Sequence, residues 1–158
     1  MDNTTKKTKI LYVEDDRGLA ALYGARLSAE GYEVKYCFDG DKALQVGKAF
    51  KPDLILLDLM MPTLNGYDAL EMFRSLVETA SAKIIIMSAL SQPEDIIKAK
   101  ALGADDYIIK SQILIDEVME RIRNHISQKD AAAFTDETGM PLAITMANNP
   151  NVTSANII

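Results

Sequence analysis

PDLILLDLMMPTLNG, residues Pro52–Gly66, is the stretch on which the reading of this chain turns. Leu54, Ile55, Leu56 and Leu57 follow one another with no polar break. A strand half-exposed to water would alternate, so this one is read as buried on both faces, in a parallel sheet covered by helices. The run ends on Asp58, and Pro62 and Gly66 then mark a loop. A carboxylate at the end of so apolar a strand is costly unless something meets its charge.

Working outward, strands and helices alternate. KILYV (Lys9–Val13) reads as a buried strand. A helix follows from Asp16, a suitable N-cap, to a stop at Gly31. YEVKYCF is the second strand, Asp39-Gly40 a turn, and DKALQVGKAF a helix closed before Pro52. Beyond the Pro62–Gly66 loop, YDALEMFRSLV is helical and KIIIM is the fourth strand. Pro93 opens the helix PEDIIKAKALG, YII (Tyr107–Ile109) is a short fifth strand, and ILIDEVMERIRNHI is the last helix. Five such alternations predict an α/β fold, a doubly wound five-stranded parallel sheet with helices on both faces. Residues 1–8 are polar and read as a disordered leader, and residues 9–126 as the domain. From Ser127 the chain turns rich in Ala, Asn and Thr, with no Lys or Arg after Lys129, so residues 127–158 read as a tail or a linker.

Composition narrows the function. The chain has 158 residues, and its formal charge of −6 argues against direct nucleic-acid binding, which needs cations for phosphates. No apolar run is long enough for a membrane span, and the N-terminus lacks a signal-peptide core. Cys37 is the sole cysteine, which excludes an internal disulfide and points to a reducing, cytoplasmic compartment.

In a parallel sheet the C-terminal ends of all strands lie on one edge, where ligands bind. The first strand delivers Glu14, Asp15 and Asp16 to that edge, the third Asp58, the fourth Ser88 and the fifth Lys110. Two carboxylates about 5 Å apart repel by about 3 kcal/mol at an effective dielectric of about 20. Domains are stable by only about 5–15 kcal/mol, so three such groups need counter-charge. Lys110 supplies one, and a hard divalent cation such as Mg²⁺, which takes oxygen ligands, would supply more. A carboxylate beside Mg²⁺, a lysine and a hydroxyl is a plausible nucleophile towards phosphorus. Asp16 alone reads better as a helix cap, and Asp105-Asp106 as a solvated turn or a partner for a base across a dimer. His125 reads as an ordinary residue of the last helical turn.

Taken together and in order, ILYVEDD, PDLILLDLMMPTLNG, IIIMSA and GADDYIIK resemble the phospho-receiver domain of two-component response regulators, from about Lys9 to Ile126. The resemblance implies a flavodoxin-like (βα)5 receiver that accepts a phosphoryl group on Asp58 from the phosphohistidine of a histidine kinase or histidine phosphotransfer protein. It implies Mg²⁺ bound by Asp15, Asp58 and the Met60 carbonyl, with Glu14 acting through a water. Ser88 would bond the phosphoryl oxygen, Lys110 would neutralise it, and Tyr107 would be an aromatic switch that turns inward when Ser88 moves. Output would be contact with a downstream protein, or a homodimer through the face of the fourth helix, fifth strand and last helix. The alternative is a receiver fragment of a larger regulator or hybrid kinase. An aspartate-nucleophile phosphatase fits less well, since the second acid it needs would stand where Met60 is.

Two departures from the family pattern stand out. Receivers usually place a cis proline after the lysine, and Ser111 stands there. A cis bond without proline costs about 2.5–4 kcal/mol, so a trans bond and an altered loop are expected. Met60 and Leu90, two residues beyond Asp58 and Ser88, cannot orient a hydrolytic water. Self-dephosphorylation is therefore expected to be slow, and the chain is not expected to act as an enzyme on other substrates.

Overall fold

The structure, a computed structural model, describes residues 6–132. Five parallel strands form one sheet: β1 (Lys9–Val13), β2 (Glu33–Cys37), β3 (Leu54–Leu57), β6 (Lys83–Ser88) and β7 (Asp106–Ile109), in the spatial order β2-β1-β3-β6-β7. The helices are α1 (Arg17–Ala29), α2 (Ala43–Phe50), α3 (Gly66–Ser75), α4 (Pro93–Ala101) and α5 (Ile115–Ala132). The strand order reverses at β1, between β2 and β3, which is the switch point where open α/β sheets hold ligands.

Register explains the unbroken apolar run. Val13 pairs with both Cys37 and Leu57, and Leu57 pairs with Ile86, so β3 lies mid-sheet. All four β3 side chains are fully buried. Leu11, Val13, Ile55, Leu57, Ile84 and Ile86 share one core with Ala43 of α2, Leu70 and Phe73 of α3 and Ala99 of α4. The intervening residues Ile10, Tyr12, Leu54, Leu56, Ile85 and Met87 are equally buried on the other face, as are Ala20, Tyr23 and Leu27 of α1.

Several boundaries follow local chemistry. Asp16 caps α1, its Oδ1 accepting from Leu19 N at 3.0 Å, and Gly31 leaves the helix with φ +96°. Lys51 ends α2 in the left-handed region (φ 54°), a common way for a helix to stop, with its N–H donating to Gly47 O at 2.9 Å. Thr8, in the polar leader, is tied to the sheet, because its carbonyl accepts from Glu33 N at 2.9 Å.

Three readings need correction. The segment between Asp58 and Gly66 is not merely a loop: β4 (Met60–Met61) and β5 (Leu64–Asn65) pair as a small antiparallel hairpin. Asp105 is exposed in a bend, as a solvated turn residue would be, but it is not free. It takes Arg74 Nη2 at 2.8 Å and Ile84 N at 2.8 Å, while Arg74 also reaches the carbonyls of Gly103 and Ala82. The last helix starts two residues later than its sequence pattern suggests and continues past residue 126 to Ala132, so the change in composition does not stop it. No peptide bond among the described residues is cis, and Lys110–Gln112 form a short 3-10 turn. The expected tail from residue 133 and the first five residues of the leader lie outside the described residues.

Candidate functional site

Sheet hydrogen bonding runs past the ends of the strands and sets the backbone of the site. Glu14 N donates to Cys37 O at 3.0 Å, and Asp58 N donates to Val13 O at 3.1 Å. The residues after β1 and β3 are thus held side by side. Glu14 is 1% exposed and Asp58 6%, and both keep their carboxyl groups on the sheet edge. Asp15, between Glu14 and the α1 cap, is exposed.

Lys110 reaches this pair from the end of β7, across β6. Its Nζ donates to Glu14 Oε1 at 2.7 Å, to Glu14 Oε2 at 3.0 Å and to Asp58 Oδ2 at 2.9 Å. The other oxygen of Asp58, Oδ1, accepts from Met60 N at 3.0 Å. Asp58 therefore has one oxygen on a cation and one on a backbone amide, which fixes the plane of its carboxylate. Gly66 keeps the following hairpin close: a Cβ there would come within 2.3 Å of Leu59 Cα.

The electrostatics match the burial. Loss of water and the nearby Asp58 push the Glu14 carboxyl up to about 8, with Lys110 opposing. Burial lowers the Lys110 pKa, but the bonds to Glu14 and Asp58 outweigh it, so the ammonium is held above its usual value. One lysine cannot neutralise both buried acids and Asp15 once all three are ionised. Oxygens of Glu14, Asp15 and Asp58 lie within 4.8 Å of one another. An all-carboxylate donor set of this size fits a hard divalent cation, not one that prefers sulfur or imidazole.

Ser88 and Tyr107 form a second network beside the first. Ser88 is fully buried, and its Oγ accepts from Leu90 N at 3.2 Å. Tyr107 is turned into the core, 6% exposed, and its hydroxyl donates to Leu90 O at 2.8 Å. Burial pushes the Tyr107 phenol up, and a bond with the Ser88 hydroxyl opposes that. The structure thus brings Glu14, Asp15, Asp58, Met60 and Lys110 together, and joins Ser88 to Tyr107 through Leu90. The Leu90 backbone was missed as a partner, because a side-chain reading of Leu gives no sign of it.

A family model described as the response regulator receiver domain matches residues 10–123. The chain is 38% identical over 128 residues to a probable transcriptional regulator, ycf27, of Porphyridium aerugineum, covering 81% of this chain and 52% of that protein. It is 38% identical over 133 residues to the response regulator ArlR of Staphylococcus saprophyticus, covering 84% of this chain and 59% of that protein. The DNA-binding dual master transcriptional regulator RpaA of Synechocystis matches at 33% over 122 residues, 77% of this chain and 50% of that protein. The chain thus spans about half the length of these relatives. Among solved structures, the CheY-like receiver domain protein of Methanospirillum hungatei superposes with a TM-score of 0.74 at 25% identity, over 79% of this chain and 98% of that one. The beryllofluoride-activated receiver domain of Klebsiella pneumoniae RstA gives 0.70 at 31%, over 75% and 98%. The expectation that nucleic acid plays no direct part finds no support in relatives that are transcriptional regulators. No helix among the described residues is long and apolar enough to cross a membrane. A parallel sheet in the order β2-β1-β3-β6-β7, an acidic edge bridged by a lysine, and a family match over most of the chain place this protein in the response regulator receiver domain family.

Proposed function

We propose that the chain is a phosphorylation switch in which Asp58 accepts a phosphoryl group from the phosphohistidine of a kinase or phosphotransfer protein. The observation that carries this reading is Lys110 bridging the buried carboxylates of Glu14 and Asp58 at a sheet switch point. An Asp58 oxygen attacks phosphorus and forms a P–O bond. The P–N bond of the phosphoimidazole breaks, its electron pair stays on the histidine nitrogen, and that nitrogen takes up a proton. Mg²⁺, held by Asp15, Asp58 and the Met60 carbonyl with Glu14 behind a water, would neutralise charge on the transferring group. Lys110 compensates the acyl phosphate and Ser88 donates to it. Met60 N holds Asp58 in one orientation throughout, which lowers the entropy cost of attack.

The test is peptide mapping after incubation with a phosphorylated histidine phosphotransfer protein and Mg²⁺. Label on the peptide containing Asp58 supports the reading, and label on another carboxylate contradicts it. Neither the thioether of Met60, which is 57% exposed, nor the side chain of Leu90 can position a water for hydrolysis. The phosphoryl group is therefore expected to persist for many minutes once the donor is removed, as read by the decay of that label. A half-life of seconds would contradict this.

Output through protein contact, with a homodimer as one form of it, is the first reading. Transcriptional regulators of which the matched part makes up only about half favour a second, in which this chain is the receiver part of a longer regulator. The mass of the protein isolated from its own cells separates the two.

A further inference from the structure

Tyr67, the second residue of α3, makes a contact that the phosphoacceptor chemistry does not require. Its hydroxyl donates to Asp95 Oδ1 at 3.1 Å. Asp95 lies in the first turn of α4, where its other oxygen accepts from Gln92 N at 3.3 Å and closes a capping box. Lys98, almost one turn further along α4, sets its Nζ 4.2 Å from the centre of the Tyr67 ring. The phenol is held up to about 12 by burial and by Asp95, so it stays a protonated donor near neutral pH.

The two ends of this contact belong to different parts of the site. Tyr67 follows Gly66, whose N–H donates to Leu59 O at 3.3 Å, and Leu59 follows Asp58. Asp95 lies just beyond the segment from Ser88 to Gln92, in which Leu90 is bonded to Ser88 Oγ on its N–H and to the Tyr107 hydroxyl on its carbonyl. The lead-in to α4 is therefore held at two points. Tyr107 and Ser88 hold Leu90, and Tyr67 holds Asp95. The two attachments coexist with Tyr107 turned inward.

We propose that the Tyr67 hydroxyl is a positioning group that, by fixing Asp95 at the start of α4, stabilises the arrangement in which Tyr107 is turned inward and links the phosphoacceptor loop to α4. This rests on the switch reading of the same site. The tether favours the state in which Ser88 and Tyr107 share Leu90. A ligand on Asp58 that prefers this state then binds more tightly when the tether is intact.

Tyr67→Phe removes only the hydroxyl and keeps the ring, its packing and its contact with Lys98. Two measurements test it on the full chain: calorimetric titration with beryllofluoride and Mg²⁺, and the Tyr107 ring signals by NMR in the metal-free protein. Loss of one partly exposed hydrogen bond to a carboxylate should weaken beryllofluoride binding by about threefold to tenfold. It should also move the Tyr107 ring signals towards those of a solvent-exposed tyrosine. Asp95→Ala should do the same, and the double variant should be no weaker than either single one. A loosened core alone would lower the melting temperature and leave the Tyr107 signals in place. Equal beryllofluoride affinity in wild type and Tyr67→Phe, or unmoved Tyr107 signals, overturns the inference. Failure of the wild type to bind beryllofluoride overturns instead the switch reading, and the Tyr107 signals still decide the tether.

Discussion

Lys110 serves two carboxylates at once, and Glu14 is the more deeply buried of the two. The folded chain holds the Glu14 proton up to about 8, against an ordinary value of 4.5. Between those values the folded state binds a proton that the unfolded state has released, so this residue's contribution to stability falls as pH rises and is constant above about 8. In chelator, Glu14→Gln should gain on wild type across that window, as read by urea unfolding at a series of pH values. A difference that does not vary with pH would contradict it. Lys110→Ala should slow labelling of Asp58 by acetyl phosphate by about a hundredfold or more, since it removes the cation facing the developing charge. A rate within a few-fold of wild type would show that Lys110 only balances the resting site. These residues were legible in the sequence because each ends an apolar strand, and parallel strands share an edge. The split of Lys110 between Glu14 and Asp58, and the Leu90 backbone between Ser88 and Tyr107, were not. Both depend on where side chains and amides meet across strands that are distant in the chain.

At the scale of elements, the hairpin of β4 and β5 sets how Asp58 is presented. Met60 in β4 holds the Asp58 carboxylate, and Gly66 lets the start of α3 lie against Leu59. Gly66→Ala would place a Cβ 2.3 Å from the Leu59 backbone, where no flexible side chain can give way. It should cost about 1–3 kcal/mol in urea unfolding and slow Asp58 labelling as well, because the strain falls on the loop that carries Asp58. A stable variant with normal labelling would mean that the loop repacks freely. The cap at Asp16, Pro93 in the first turn of α4 and the stop at Gly31 were legible because helix ends are set by local chemistry. The hairpin was not, since two-residue strands leave no alternation to read. The end of α5 was missed because composition shifted within a helix that continues through Ala132.

For the whole molecule, the sheet order places the acidic ends of β1 and β3 side by side at the switch point, with Ser88 and Lys110 following on β6 and β7. Arg74 closes the opposite end of the sheet, tying α3 to Gly103 and Asp105 ahead of β7. The strand order could be anticipated from right-handed crossovers, but the Arg74–Asp105 tie could not, since it joins two charged residues with nothing in the sequence to couple them. The central claim is that this edge makes Asp58 a phosphoryl acceptor that depends on a divalent cation. Its most direct test is the intact mass of wild type and Asp58→Asn after incubation with acetyl phosphate, with and without Mg²⁺. A single phosphoryl adduct on the wild type that requires Mg²⁺ and is absent from Asp58→Asn is the expected result. An adduct that persists in Asp58→Asn, or forms equally well in chelator, would contradict it.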